Sequence, residues 1–212
     1  MYTTLFFKES PTIAILLVLL MCVLSQFKFN ATVNLLVVVL LGCLYFYRYN
    51  AYKGDNIGCS NGKCTDDIII SPNEGKITNI SNKDGIVHVS TYMNLFNNHT
   101  QIYPVNGIVL DRYYDKTGKF DIVIDQDKCK HNEKKIHTIK TNHGIVTVTQ
   151  IAGFLPRVIV ASEKVPENVL AGQYMGMIKF GSRVDISFPG DIKKLKVKLN
   201  DKVKIGDVLY IY

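Results

Sequence analysis

After residue 68 the chain breaks into short β-branched runs. They are Ile68-Ile69-Ile70, 76–80 (KITNI), 85–89 (GIVHV), 107–110 (GIVL), 121–124 (DIVI), 144–148 (GIVTV) and 158–160 (VIV). Turn residues separate them, among them Ser-Pro-Asn-Glu-Gly, Lys-Asp-Gly and Asn-His-Gly. Branching at Cβ crowds a helix and suits a pleated surface. Runs of this length must therefore pair with one another to bury their apolar faces, and no helical stripe of comparable length competes with them. The expectation is a mainly β fold, a compact sandwich or barrel-like domain.

The first fifty residues follow a different rule. Residues 11–27 and 31–47 carry no charge, and the second run ends in aromatic residues before Arg48. Each is 17 residues long, the short end of what spans a hydrocarbon layer of roughly 30 Å. They are expected to form a transmembrane helical hairpin. A cleaved signal peptide is the rival reading of the first run, opposed by Glu9 in its flank and by the second apolar run behind it. Lys8, Lys28, Arg48 and Lys53 flank the runs and lean towards cytoplasmic ends. The organisation expected is a membrane anchor at 1–50, a linker at 51–67 and the main domain at 68–212, on the cytoplasmic side.

Charge excludes one class of partner. The 25 Lys and Arg against 18 Asp and Glu leave +7, but the basic residues are interspersed with acidic ones. Nucleic-acid binding calls for a basic stripe with interleaved aromatics, and none is present. A surface of this kind is instead mildly attractive to anionic lipid. The cysteines make no metal-binding framework: Cys22 and Cys43 lie in apolar runs and Cys129 stands alone. Cys59 and Cys64 frame a Gly-containing loop that could bridge, share a metal or be an ordinary loop.

From Leu195 to Ile211 apolar and charged residues alternate on both sides of Asn200-Asp201, which reads as strand, turn, strand. This texture resembles that of biotinyl and lipoyl hybrid-barrel domains. A carrier of that type would present Lys179 at a turn tip, whereas Lys179 sits in an apolar run.

The run from Gly176 to Asp185 contains Phe180-Gly181-Ser182-Arg183. Three other stretches precede it in order: 72–77 (PNEGKI), 93–99 (MNLFNNH) running into 104–109 (PVNGIV), and 150–153 (QIAG) followed by Arg157. Together they closely resemble the pyruvoyl-dependent phosphatidylserine decarboxylases, in the short form with Gly-Ser-Arg at the processing site. The resemblance covers roughly residues 70–212 and implies that the chain cuts itself between Gly181 and Ser182. Such a cut suits the residue types, because glycine leaves its carbonyl unobstructed and a serine hydroxyl can attack it once a base takes the proton.

By the same resemblance Ser182 becomes a covalent pyruvoyl cofactor heading a chain of residues 182–212, which stays associated with residues 1–181. The ketone serves as an electron sink for decarboxylating phosphatidylserine to phosphatidylethanolamine. His99 is implied as the base, since imidazole holds and returns a proton near neutral pH. Where relatives carry Ala-Asp-Gly, this chain has Asn73-Glu74-Gly75, making Glu74 the candidate third member of a triad. Arg157 and Arg183 are candidates for the substrate's anionic groups. The stretch 130–134 (KHNEK) resembles the family's Asn-Glu-Arg segment and otherwise reads as a surface turn. The partners implied are a membrane phospholipid and the two halves of the cut chain, with a homodimer compatible and no metal required. A different class, an uncut relative acting as a membrane-bound scaffold, is prompted by Glu74 in place of Asp.

Overall fold

The structure is a computed structural model that describes residues 18–23, 30–46, 59–60, 63–118, 128–153, 159–161, 165, 167–178 and 182–212. Two compact units divide the chain, Met1–Asn50 and Ala51–Tyr212.

In the first unit residues 18–23 are helical and a helix α1 covers Asn30–Phe46. Its 17 residues carry no charge, and at 1.5 Å per residue they reach about 26 Å, short of a ~30 Å hydrocarbon layer. Among the described residues no helix is long and apolar enough to cross a membrane. Of the two-span hairpin expected from the sequence, the second apolar run folds as a helix and most of the first lies outside the described residues, so a transmembrane hairpin is not shown. Its surface is nonetheless apolar, with Leu35 and Val38 exposed to 62% and 65%.

The second unit is β throughout. In chain order the strands are β1 (Cys59–Ser60), β2 (Lys63–Cys64), β3 (Ile68–Ile70), β4 (Gly75–Lys83), β5 (Ile86–Met93), β6 (Thr100–Ile102), β7 (Gly107–Asp115) and β8 (Lys134–Thr141). There follow β9 (Gly144–Ala152), β10 (Ile159–Ala161), β11 (Glu167–Val169), β12 (Tyr174–Ile178), β13 (Ser182–Pro189), β14 (Lys202–Val203) and β15 (Val208–Ile211). An eight-stranded antiparallel sheet runs β11-β7-β8-β9-β13-β5-β4-β14, and a three-stranded sheet runs β10-β12-β6. Strand β15 pairs with β3. Mainly β is thus what the chain forms, and no closure into a hybrid barrel is seen among the described strands.

Six of the seven β-branched runs lie in strands apart from Gly85, which is in a turn, and Val158, which like 121–124 falls outside the described residues. The Lys-Asp-Gly turn behaves as its composition demands: Asp84 and Gly85 have φ of 53° and 77° and join β4 to β5 across two residues, the left-handed pair of a type I′ hairpin. Within the segment expected as a linker, β1 and β2 form a small ladder that sets Cys59 opposite Cys64.

The C-terminal hairpin is a second correction. Residues 195–199 are not a strand, and β14 and β15 pair with β4 and β3 rather than with each other. Leu195 and Val197 pack against the core, while Lys196 N–H donates to Leu209 O at 2.8 Å. The alternation marks which side chains turn inward, without fixing which strand satisfies the backbone.

The core lies against one face of the large sheet. Val87, Val89, Val148, Val184, Ile186 and Phe188 supply much of it, with Tyr103, Met175 and Ile178 from the segments opposite. Alternation along β13 sends Ser182, Val184, Ile186 and Phe188 inward, and Arg183 and Asp185 to the other face.

Candidate active site

Three adjoining segments assemble the site. The loop 94–99 ends at His99 and feeds β6, which pairs with β12. Strand β12 ends at Ile178, whose backbone N–H donates to His99 O at 3.3 Å. Only residues 179–181 separate Ile178 from Ser182, the first residue of β13. An extended link of that length spans at most about 14 Å. The strand that bonds to His99 therefore delivers the chain directly to Ser182. Gly181 itself, like Arg157 and Lys179, lies outside the described residues.

Ser182 is fully buried, paired with Met93 on β5 and Ala152 on β9. Its hydroxyl makes no hydrogen bond among the described residues. A buried hydroxyl without a partner costs about 1–3 kcal/mol, so a serine kept in this state calls for a chemical reason. The slot suits a pyruvoyl group: a planar ketone carries no proton to satisfy, and the flanking Ala152 is small.

His99 is also fully buried. Its Nδ1 lies 2.9 Å from the Asn97 carbonyl oxygen. A carbonyl can only accept, so Nδ1 carries the proton and Nε2 is the basic nitrogen of the neutral ring. The backbone is held as tightly: His99 O accepts from Gln101 Nε2 at 2.7 Å. Gln101 Oε1 accepts in turn from Gln150 Nε2 at 2.9 Å, and Gln150 Oε1 lies 2.9 Å from His137 Nε2. All of these residues are buried, so the chain of polar groups fixes where His99 stands. A Cβ on Gly176 would come within 3.0 Å of Gln150 Nε2 and 2.4 Å of Val160 O, which requires glycine there.

Glu74 meets His99 by way of the loop. Its carboxylate accepts from Asn97 Nδ2 at 2.8 Å and from Asn98 N–H at 3.4 Å. Asn97 thereby joins acid to base: its side chain holds Glu74 and its carbonyl holds His99. Gly75 lets β4 begin here, because a Cβ would stand 2.3 Å from Tyr92 O.

A family profile described as phosphatidylserine decarboxylase matches residues 61–210. The chain belongs to the phosphatidylserine decarboxylase family. Relatives include phosphatidylserine decarboxylase proenzymes of Chlorobaculum tepidum, 36% identical over 67% of this chain and 68% of its own length, and of Geotalea uraniireducens, 32% identical over 66% and 68%. A third, from Polynucleobacter asymbioticus, is 35% identical over 65% and 66%. The chain thus spans about two thirds of the length of the curated relatives it matches.

The stretch 130–134 is a surface turn only at its start, where a 3-10 turn over Lys128–His131 leaves His131 exposed. Asn132 and Glu133 are buried, Asn132 Nδ2 donates to Ala152 O at 2.8 Å, and Ala152 N–H donates to Glu133 O at 2.9 Å. They brace the strand end that faces Ser182. Tyr114 OH donates to the Glu133 carboxylate from β7.

Arg183 is buried on the opposite face of the sheet. Its guanidinium donates to Asp185 Oδ1 at 2.6 Å, Ser90 Oγ at 2.8 Å and Cys129 Sγ at 3.4 Å. Deeper in the core, Arg112 donates to Tyr103 OH and to Glu167. Burial raises the Tyr103 phenol above its usual range, although Arg112 pulls the other way. Among the described residues no group of His, Cys, Asp and Glu could hold a metal ion.

Proposed function

We propose that this chain is a self-processing, pyruvoyl-dependent decarboxylase that converts phosphatidylserine to phosphatidylethanolamine and carbon dioxide at a lipid surface. The observation that carries the reading is a buried, unbonded Ser182 hydroxyl together with a buried His99 whose Nδ1 faces a carbonyl and whose backbone bonds to the strand that leads into the processing site. Family membership supports it independently.

In processing, His99 Nε2 takes the Ser182 hydroxyl proton as Oγ attacks the Gly181 carbonyl. The amide becomes an ester and the freed amine remains on residue 182. Loss of the Cα proton and the ester oxygen leaves Gly181 as a carboxylate and residue 182 as dehydroalanine, which water converts to a ketone with release of ammonia. The pyruvoyl ketone supplies a carbonyl for the substrate amine and a sink for the electron pair left by carbon dioxide. Glu74 serves as a positioning residue, acting on His99 through Asn97 and Asn98. Arg157 is a candidate for the substrate's anionic groups, and the apolar unit 1–50 for membrane anchoring.

Intact mass and denaturing electrophoresis test the reading. Purified protein is expected as two chains, 1–181 and a 31-residue chain 182–212, the latter with a blocked amino terminus. A chain that stays whole on long incubation defeats it. The second reading, an uncut scaffold, is favoured by Glu74 standing where relatives carry Asp. If Glu74→Asp starts cleavage in a protein otherwise intact, the scaffold reading stands.

A further inference from the structure

The sheet face that carries Arg183 leads to a second charged feature. Across four adjacent strands Arg183, Tyr92, Lys76 and Lys202 stand in one register row, so their side chains share a face. Beyond Tyr92 the row borders a cavity of about 390 Å³ lined by Glu74, Lys76, Tyr92, Asn97, Lys202 and Lys204. Lys202 and Lys204 flank Val203, which is buried in the core at 4% exposure; alternation sends both lysines outward.

The nearby acids do not neutralise these lysines. Asp201 and Asp207 accept from the backbone N–H groups of Lys198 and Lys204, each at 2.7 Å, and so close turns. Glu74 is occupied by Asn97 and Asn98. No ion pair to Lys76, Lys202 or Lys204 is present among the described residues. The lining therefore holds three lysines and one carboxylate, a surplus of two positive charges.

We propose that this cavity seats the phosphodiester of the phospholipid substrate, with Lys76, Lys202 and Lys204 as its ligands. The proposal rests on the decarboxylase reading above and adds a subsite to it. Asn97 lines the cavity and its carbonyl also holds His99, so the cavity adjoins the loop that carries His99. The mouth favours a lipid over free phosphate. Asn94 and Asn97 both line the cavity, and between them Leu95 and Phe96 are exposed to 46% and 74%. Two hydrogen bonds hold that tip: Asn94 N–H to Asn97 Oδ1 at 2.9 Å and Phe96 N–H to Asn94 Oδ1 at 2.8 Å. An apolar tip beside a cationic cavity matches a phosphate that carries acyl chains.

The test is titration of the full-length protein with dihexanoyl phosphatidylglycerol, an anionic phosphodiester lipid with no amine to react. Each of Lys76→Gln, Lys202→Gln and Lys204→Gln is expected to weaken binding about fivefold, and the triple variant about a hundredfold. A charge-matched control, Lys83→Gln with Lys193→Gln and Lys194→Gln, alters exposed lysines elsewhere and is expected to change binding less than threefold. Inorganic phosphate should bind at least tenfold more weakly than the lipid.

The proposal is overturned if the cavity variants bind within threefold of the parent, if the control loses as much, or if inorganic phosphate binds as tightly as the lipid. The single variants keep the test decisive should the triple variant not fold. Lysine-dependent lipid binding by a chain that never cuts itself would sink the decarboxylase reading and leave this site standing. A cut, active protein indifferent to the three lysines would do the reverse.

Discussion

Ser182 and Arg183 are neighbours in sequence and opposites in environment. One side of β13 presents a hydroxyl buried with no partner among the described residues; the other presents a guanidinium with three hydrogen bonds. The same backbone produces both, because successive side chains of a strand point to opposite faces. The difference separates two jobs. The inner face leaves the Ser182 hydroxyl uncommitted, at a cost in stability, while the outer face uses a charge network to hold the strand that carries it.

The largest effect that could break this contrast belongs to Ser182→Ala. Processing should vanish on electrophoresis, while the melting temperature stays level or rises, since an unsatisfied buried hydroxyl is removed. A marked loss of stability would mean that the hydroxyl is structural. His99→Gln should slow cleavage by about 10²–10⁴-fold, read as the rate of appearance of the 182–212 chain. Arg183→Met should act on the other side of the contrast, lowering unfolding free energy by about 3 kcal/mol in urea titration, because Asp185 and Ser90 lose their charged partner. If substrate KM rises instead and stability holds, Arg183 is a substrate ligand and the division between the faces fails.

A smaller effect is expected at Glu74. Glu74→Gln keeps an acceptor for Asn97 but removes the charge, and should slow processing about tenfold by loosening the loop that carries His99. The smallest is a pH effect. Burial, with Tyr210 adding to it, pushes the Tyr212 phenol up to about 12, above its value near 10 in the unfolded chain. The unfolded state releases its proton first, so stability present below pH 10 declines as pH rises towards 12. Tyr103 shifts in the same direction. Because Tyr212 is only half-buried, the loss is of order 1 kcal/mol after solvent screening, and Tyr212→Phe should flatten it in alkaline unfolding curves.

Much of the sheet was legible because β-branched runs and a left-handed turn pair are local statements. The strands β4, β5, β7 and β9 lie where Lys-Asp-Gly, Asn-His-Gly and the Ile/Val runs place them. Strand β8 escaped because it carries Lys135 inward, fully buried with its ammonium 5.4 Å from the Tyr114 ring centre; a sequence pattern reads such a lysine as solvated. Strands β12 and β13 were hidden by the processing motif that joins them. The contribution of Asn132 and Glu133 depends on Ala152, about twenty residues away, and no local pattern reveals it.

The order of the chemical parts belongs to the sequence alone. Gly181-Ser182, the His99 loop and Asn73-Glu74-Gly75 declare by residue type what can attack, what can take a proton and what can bear charge, since those are covalent properties. The tertiary structure decided which atoms meet: that Nδ1 of His99 faces a carbonyl, that the Glu74 carboxylate accepts from Asn97, and that three lysines share one cavity. Such encounters depend on strand register and close packing between segments distant in the chain, and a side chain's neighbours are not written in its own stretch of sequence.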